Sequence, residues 1–135
     1  MAKKKTYVGI NIQFPISQLI VSGEKTIETR NYPIPKDYIG KEMVLVETPG
    51  KFGKFKSRTV AIVQFGQSFR YASKASFYAD ANKHCVTVDS PWAWQGEGPK
   101  WGWPITKLTK LSEQKPLTRR LGIKYTKNLI LSLDF

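Results

Sequence analysis

The sequence predicts an α+β fold class, with about five to six strands and two short helices in a single domain of 135 residues. Three patterns predict the strands: apolar and polar residues alternate over 8–14, an unbroken apolar run occupies 43–46, and β-branched residues are concentrated in 59–65. Helical spacing follows Pro15 and again follows Ser73. A chain of this length is large enough for one hydrophobic core.

The first helix has recognisable boundaries at both ends. Pro15 suits the first helical position, and Gly23 can adopt the left-handed conformation that ends a helix. Between them, Ile16, Leu19 and Ile20 share one face at helical spacing. We therefore expect a short helix that ends at Gly23.

The stretch after Gly23 is the most unusual part of the chain, because its residues are charged and alternate with period two from Lys25 to Arg30. This predicts a strand with Ile27 as its core anchor. Glu28 and Arg30 then lie side by side on the opposite face, with Lys25 at the start of the strand. Two cations and one carboxylate are expected to converge there.

Two interpretations of this charged cluster are open. Glu28 and Arg30 can form an ion pair on a solvated sheet face, where such pairs add little stability. Alternatively, Lys25 and Arg30 hold a phosphate or carbonyl oxygen, and Glu28 accepts a hydrogen bond from an exocyclic amine or moves a proton.

A basic loop is predicted over 49–58, where cations, phenylalanines and glycines are interleaved. Its cations suit backbone phosphates, and they are Lys51, Lys54, Lys56 and Arg58. Phe52 and Phe55 either stack on unpaired bases or fold back onto the strands.

Aromatic residues dominate the region after the second helix. That helix is expected from Ser73, a possible cap, to about His84. The connection over 86–100 has the length typical of binding loops. Trp101 and Trp103 lie two apart, hence on one face of a strand, where they either build the core or border a ligand cleft.

The net charge of +12 and a pI near 9.9 favour a polyanionic partner, with salt-dependent binding. Residues 1–6 are expected to form a flexible basic arm. Further cations before the last strand extend the positive surface, and these are Arg119, Arg120, Lys124 and Lys127.

The same composition bears on location and assembly. No apolar run reaches membrane-spanning length, and the start of the chain lacks the apolar segment of a signal peptide. Cys85 is the single cysteine, so an internal disulfide is excluded. We expect a cytoplasmic protein that acts as a monomer away from membranes.

Several chemistries are disfavoured by the residue inventory. One histidine and one cysteine cannot supply an ordinary zinc site. His84 and Cys85 are chain neighbours and point apart, which disfavours a nucleophilic dyad. No phosphate-binding glycine loop is present. We expect no metal and no cofactor, and any catalysis must use Lys, Glu, Thr or Tyr.

The run from Leu19 to Arg30 resembles the signature of the ASCH family, Gly-x-Lys-x-x-Glu-x-Arg after a short helix. All four signature residues are present, as Gly23, Lys25, Glu28 and Arg30. The resemblance implies a small mixed β-barrel of the PUA-like superfamily that binds RNA or a nucleotide derivative in a cleft beside the motif. A tryptophan-containing strand at 101–105, a Lys115-Pro116 turn and a final strand over 128–133 also resemble the family.

The leading functional expectation is therefore a module that binds RNA or another single-stranded nucleic acid, or a modified nucleoside. Its expected binding residues are Lys25, Thr26, Glu28, Arg30, Lys51, Lys54, Trp101 and Trp103.

The alternative is an enzyme, with Lys25 and Glu28 as its catalytic residues. A branch of the family hydrolyses the amide of acetylated cytidine with the motif lysine, a threonine three residues later and a distal glutamate. Here Glu28 occupies the threonine position, while Thr26 and Thr29 are out of register. Glu97 and Glu113 are weak candidates for the distal glutamate. Nuclease activity by lysine and tyrosine is a third possibility.

Overall fold

The structure, a computed structural model, describes residues 3–117, 122 and 124–133. Within these residues it contains seven strands and three short α-helices. The strands are β1 (Lys3–Gln13), β2 (Ile27–Arg30), β3 (Met43–Thr48), β4 (Arg58–Phe65), β5 (Phe69–Arg70), β6 (Trp101–Pro116) and β7 (Tyr125–Leu133). The helices are α1 (Ile16–Val21), α2 (Lys74–Ala79) and α3 (Ala81–His84). The predicted α+β class is confirmed.

The strands form one mixed sheet in the order β2-β6-β4-β3-β1-β7, with β5 also paired to β6. β1 and β3 are parallel, whereas the other pairs are antiparallel. In the part of the chain that the structure describes, no pairing joins β2 to β7, so the sheet is not closed into a barrel.

The long strand β6 connects the charged motif to the main sheet. Its first residues pair with β2, so that Glu28 lies opposite Trp103 and Arg30 lies opposite Trp101. Its later residues pair with β4. The pairing of β6 with β2 therefore sets the positions of Glu28 and Arg30 relative to the main sheet.

The core lies on both faces of the central strands, as the apolar run 43–46 predicted. Met43 and Leu45 point into the main cluster, which also contains Phe65 and Trp103. Val44 and Val46 point into a second cluster. A third, smaller cluster of Tyr71, Phe77 and Val86 packs beneath α2 and α3.

The turn between α1 and β2 differs from the sequence prediction. The helix ends as expected, with Gly23 at a φ of 86°. However, β2 begins at Ile27 rather than at Lys25. The amide of Lys25 donates to the carbonyl of Leu19 in α1, and the amide of Thr26 donates to the carbonyl of Lys83 in α3. These two amides therefore bond to helices rather than to a neighbouring strand.

Three further expectations are corrected. Lys3–Thr6 pair with β7 and belong to β1, rather than to a flexible arm. Lys115 and Pro116 end β6 by pairing with β4, rather than forming a turn. The second predicted helix is split at Asp80 into α2 and α3, although Ser73 caps it as predicted.

None of the helices among the described residues is long and apolar enough to span a membrane.

Candidate functional site

A cavity of about 650 Å³ lies beside the charged motif. The end of β1, the start of α1 and β2 form one side of it. The segment 86–100, here called the covering loop, forms much of the other side. The charged side chains that line the cavity are Lys25, Glu28, Arg30, Lys100 and Lys124.

Lys25 is the most deeply buried of these charges, with 2% of its surface exposed. Its ammonium donates a hydrogen bond to the carbonyl oxygen of His84 and lies 3.7 Å from Oε1 of Glu28. Burial lowers the pKa of Lys25, while the Glu28 carboxylate acts against this shift. The turn that places Lys25 ahead of β2 is what directs its side chain towards α3.

Glu28 lies between the two cations of the motif and is 6% exposed. Its Oε1 accepts a hydrogen bond of 2.9 Å from the Thr29 amide. Its Oε2 is 3.4 Å from Nη2 of Arg30. The interpretation of this cluster as a solvated ion pair is wrong, because the pair is largely buried and lines a cavity.

Arg30 is held in place by several neighbours. Nη1 donates to the hydroxyl of Tyr32 and Nη2 donates to the carbonyl of Asn11, each at 3.3 Å. The guanidinium also lies 5.6 Å from the ring centroid of Trp103. Burial acts to lower the pKa of Arg30, but Glu28 and Tyr32 raise it overall. The guanidinium is therefore oriented before any ligand arrives.

Lys100 and Lys124 add positive charge to the cavity from distant parts of the chain. Nζ of Lys100 donates to Oδ1 of Asn31 at 3.3 Å. Burial lowers the pKa of Lys100, and Lys25 lowers it further against the influence of Glu28. Nζ of Lys124 lies 4.3 Å from the ring centroid of Tyr32.

Sequence reasoning placed Lys124 only on a general positive surface and missed Lys100. Lys100 ends the covering loop and directly precedes the tryptophan strand. This position was the sequence feature that could have identified it as a lining residue.

Two tryptophans of the covering loop line the cavity. Trp94 is fixed, because its amide donates to the Tyr78 hydroxyl and its indole N–H donates to the Gly98 carbonyl. Trp92 is 36% exposed, and its amide donates to the Ser90 hydroxyl at 3.1 Å. Its ring is available to a ligand. The length and aromatic content of this loop were the signals in the sequence.

The predicted tryptophans lie elsewhere. Trp103 is 0% exposed, packs edge-on against Tyr32 and Phe65, and donates its indole N–H to the Tyr32 carbonyl. It is a core residue that no ligand can reach in this structure. Trp101 is partly buried against the same core and does not line the cavity.

The other predicted binding residues also lie outside the cavity. Thr26 is exposed and its backbone joins α3 and β6. Lys51 and Lys54 are exposed in the loop between β3 and β4. Arg119 and Arg120 lie outside the described residues.

In the loop between β3 and β4, one of the two phenylalanines folds back onto the protein and the other is exposed. Phe55 packs edge-on against Phe14 and beneath the guanidinium of Arg58, whereas Phe52 is 67% exposed. The loop also reaches the cavity rim, because a Cβ atom placed on Gly50 would lie 3.1 Å from Oε1 of Gln13, a lining residue. The structure therefore brings Lys25, Glu28 and Arg30 together and leaves the basic loop beside them.

His84 has a structural role at the back of the cavity. Its Nε2 pairs with the Phe77 carbonyl at 2.6 Å, and its Nδ1 accepts from the Val86 amide at 3.0 Å. The ring stacks on Phe77 with centroids 4.1 Å apart. The neutral ring thus fixes both the carbonyl that holds Lys25 and the start of the covering loop.

The candidates for the enzymatic alternative are separated in space. Thr29 lines the cavity beside Glu28. Glu97 and Glu113 are exposed and do not line it.

Solved structures show which fold this is. The chain is similar to the ASCH protein of Zymomonas mobilis, with a TM-score of 0.65 at 12% identity over 90% of this chain and 86% of that one. A tyrosine-to-phenylalanine variant of the same protein gives 0.63 at 12% identity over 91% and 90%. A serine-to-alanine variant gives 0.61 at 12% identity over 90% and 87%.

The chain therefore has the fold of that ASCH protein, as the resemblance implied, although the expected barrel is wrong in that the sheet is not closed among the described residues. No protein-family model matches the sequence, and no curated protein is significantly similar to it. An identity of 12% leaves the function to be argued from the cavity itself.

The burial of His84 predicts a specific pH dependence of stability. Burial lowers the pKa of this histidine from its usual 6.5, so below that pH the unfolded chain binds a proton that the folded chain resists. The contribution of His84 to the free energy of unfolding is then fully present above pH 6.5. Below that pH the free energy of unfolding falls with decreasing pH, by at most about 1.4 kcal/mol per pH unit for one group. Urea unfolding between pH 7.5 and 5 measures this slope.

His84→Gln is the matched variant, since His84 is the single histidine of the chain. We expect it to be less stable at pH 7.5 and to show a flatter profile down to pH 5. A profile that is flat in the parent chain, or equally steep in the variant, contradicts the assigned role.

Proposed function

We propose that this chain binds RNA or a nucleotide derivative, with one nucleotide accommodated in the cavity beside the motif. The observation that supports this most strongly is the lining: Lys25, Arg30, Lys100 and Lys124 surround a space that contains one carboxylate, Glu28. The volume of about 650 Å³ is within the range of small-molecule sites.

Electrostatics favour an anionic ligand. Glu28 is shared by Lys25 and Arg30, so it offsets one of the four positive charges and leaves the cavity strongly positive. The whole chain carries a charge of +12, which attracts a polyanion from a distance. Both the local and the global charge therefore favour nucleic acid over a neutral partner.

The cavity also offers groups that recognise a base. Oε2 of Glu28 lies 3.4 Å from Nη2 of Arg30 and can accept a further hydrogen bond from an exocyclic amine. The exposed ring of Trp92 offers a stacking surface of the kind that single-stranded RNA uses. An unpaired base can thus be held by its edge and by its face.

The neighbouring basic loop suits the rest of a strand. Gly50 lies against Gln13 at the cavity rim, and the exposed residues that follow it, Lys51, Phe52 and Lys54, can contact flanking phosphates and bases. All of these groups come from one chain, so a monomer suffices. The cytoplasm, where Cys85 stays reduced and RNA is abundant, is the proposed location.

The first test is binding of a labelled single-stranded RNA, measured by mobility shift at rising salt. We expect affinity to fall steeply between 50 and 200 mM salt, because released counterions drive such binding. Arg30→Gln should weaken binding by roughly tenfold, since it removes an oriented cation from the cavity. Lys107→Gln, which removes an exposed charge of β6 outside the cavity, is the control and should change affinity little.

Two results would count against the proposal. One is the absence of binding at low salt. The other is an equal loss in Arg30→Gln and Lys107→Gln, because the cavity would then contribute no more than any surface charge.

Trp92 gives a second test at a different part of the cavity. Trp92→Ala should reduce RNA affinity by roughly tenfold, since stacking contributes about 1–3 kcal/mol per base. Phe69→Ala is the matched control, because Phe69 has a similar exposure of 38% and does not line the cavity. Fluorescence titration measures both affinities. An unchanged affinity in Trp92→Ala would remove stacking from the proposal.

A second candidate function, amide hydrolysis of an acetylated cytidine, is favoured by one observation. Lys25, with its lowered pKa, Glu28 and Thr29 all line the same cavity. We propose as the alternative that Glu28 takes a proton from water and the resulting hydroxide attacks the amide carbon, while Lys25 stabilises the oxygen that becomes negative. The C–N bond then breaks as Glu28 returns its proton to the departing N4 amine. Cytidine and acetate are the products.

Incubation with N4-acetylcytidine tests this alternative. Chromatography measures the release of cytidine. This release should be abolished in Glu28→Gln if the carboxylate is the base. Lys107→Gln should retain full activity. If no cytidine appears while RNA binding is intact, the hydrolase proposal is wrong and the binding proposal stands.

A further inference from the structure

Two cations of the cavity approach the same tyrosine from different directions. Nη1 of Arg30 donates to the hydroxyl of Tyr32 at 3.3 Å, and Nζ of Lys124 lies 4.3 Å from the centroid of its ring. Both cations line the cavity. They are therefore neighbours on one side of it, although they are 94 positions apart in sequence, from 30 to 124.

The backbone of Asn11 in β1 bonds to the side chain of Arg30 and to the backbone of Lys124. Its amide donates to the Lys124 carbonyl at 2.9 Å, and its carbonyl accepts from Nη2 of Arg30 at 3.3 Å. The side chain of Asn11 is itself occupied, since Oδ1 accepts from the Thr126 hydroxyl at 2.8 Å. Strand β1 thus orients the guanidinium of Arg30 and anchors the backbone at Lys124.

Their charge is only partly compensated. Arg30 shares Glu28 with Lys25, and among the described residues Lys124 forms no ion pair with a carboxylate. Nζ of Lys100 donates to the side-chain oxygen of the neighbouring Asn31 at 3.3 Å. Burial lowers the pKa of Lys100, Glu28 opposes this shift, and the nearby Lys25 adds to it.

We propose that Arg30, Lys124 and Lys100 form a subsite for a phosphate group, so that the ligand of the cavity is a phosphorylated nucleoside rather than a neutral one. This rests on the proposed function, because Glu28 and Trp92 would hold the attached base. The planar guanidinium donates to two phosphate oxygens, while the ammonium groups act as point charges. A neutral nucleoside would leave this surplus charge unmatched.

The phosphate can have two sources with the same chemistry. A free nucleotide ends in a monoester that carries close to two negative charges at pH 7. An RNA strand supplies a diester with a single charge. Both place phosphate oxygens next to a nucleoside, and the experiment separates them.

The test compares three ligands by calorimetry at low salt: cytidine, cytidine 5′-monophosphate and the dinucleoside monophosphate CpC. Cytidine is the reference base because its exocyclic amine can donate to Glu28. We expect at least one phosphorylated ligand to bind roughly tenfold more tightly than cytidine, as charge-assisted hydrogen bonds would provide. Preference for the monophosphate indicates a free nucleotide, and preference for CpC indicates an RNA strand.

Lys124→Gln and Lys100→Gln identify the subsite. Each should reduce the affinity for the preferred phosphorylated ligand by roughly fivefold and leave the affinity for cytidine unchanged, because each removes one point charge. Lys107→Gln removes an equal charge outside the cavity and should leave both affinities unchanged. Thermal unfolding of each variant confirms that the fold is retained.

The outcomes separate this proposal from the one it rests on. Equal binding of cytidine and both phosphorylated ligands overturns the phosphate subsite and leaves the base pocket intact. The same conclusion follows if Lys124→Gln and Lys100→Gln behave like Lys107→Gln. Absence of binding by all three ligands overturns the subsite, and absence of RNA binding as well overturns the proposed function.

Discussion

The buried ammonium of Lys25 is the constraint on which the site depends. A charge removed from water needs partners, and removing one partner of a buried ion pair commonly costs about 3–5 kcal/mol. Here the partners are the Glu28 carboxylate and the carbonyl of His84. Because these belong to β2 and to the end of α3, Lys25 joins the motif strand to the start of the covering loop. The side chain of Lys25 therefore connects the two sides of the cavity.

The sheet supplies the second support for the site. Trp103 of β6 lies opposite Glu28 in the ladder, and its buried ring lies beneath the Arg30 guanidinium at 5.6 Å. The indole N–H of Trp103 also fixes the carbonyl of Tyr32. The tryptophan that the sequence offered as a possible ligand contact is therefore the residue that positions the binding groups from below. Its aromatic area stabilises the core, and its face orients a cation.

Local patterns in the sequence predicted the local structure well. The Pro15 to Gly23 helix, the two-sided burial of β3 and the convergence of Lys25, Glu28 and Arg30 follow from spacing and residue type, because neighbours in the chain determine them. The sequence did not predict which distant parts of the chain meet at the cavity. Lys100, Lys124 and Asn11 enter the cavity through the pairing of β1 with β7 and of β6 with β2, and periodicity carries no information on which strands pair.

The geometry of Glu28 bears on the choice between binding and hydrolysis. A general base must be free to take a proton from water, but Oε1 accepts from the Thr29 amide and faces Lys25, while Oε2 faces Arg30. Both carboxylate oxygens are therefore already engaged by groups of the protein. A binding site makes the opposite demand, since a fixed acceptor beside fixed cations recognises a base and a phosphate without reorganisation. The contacts of Glu28 therefore favour recognition over proton transfer.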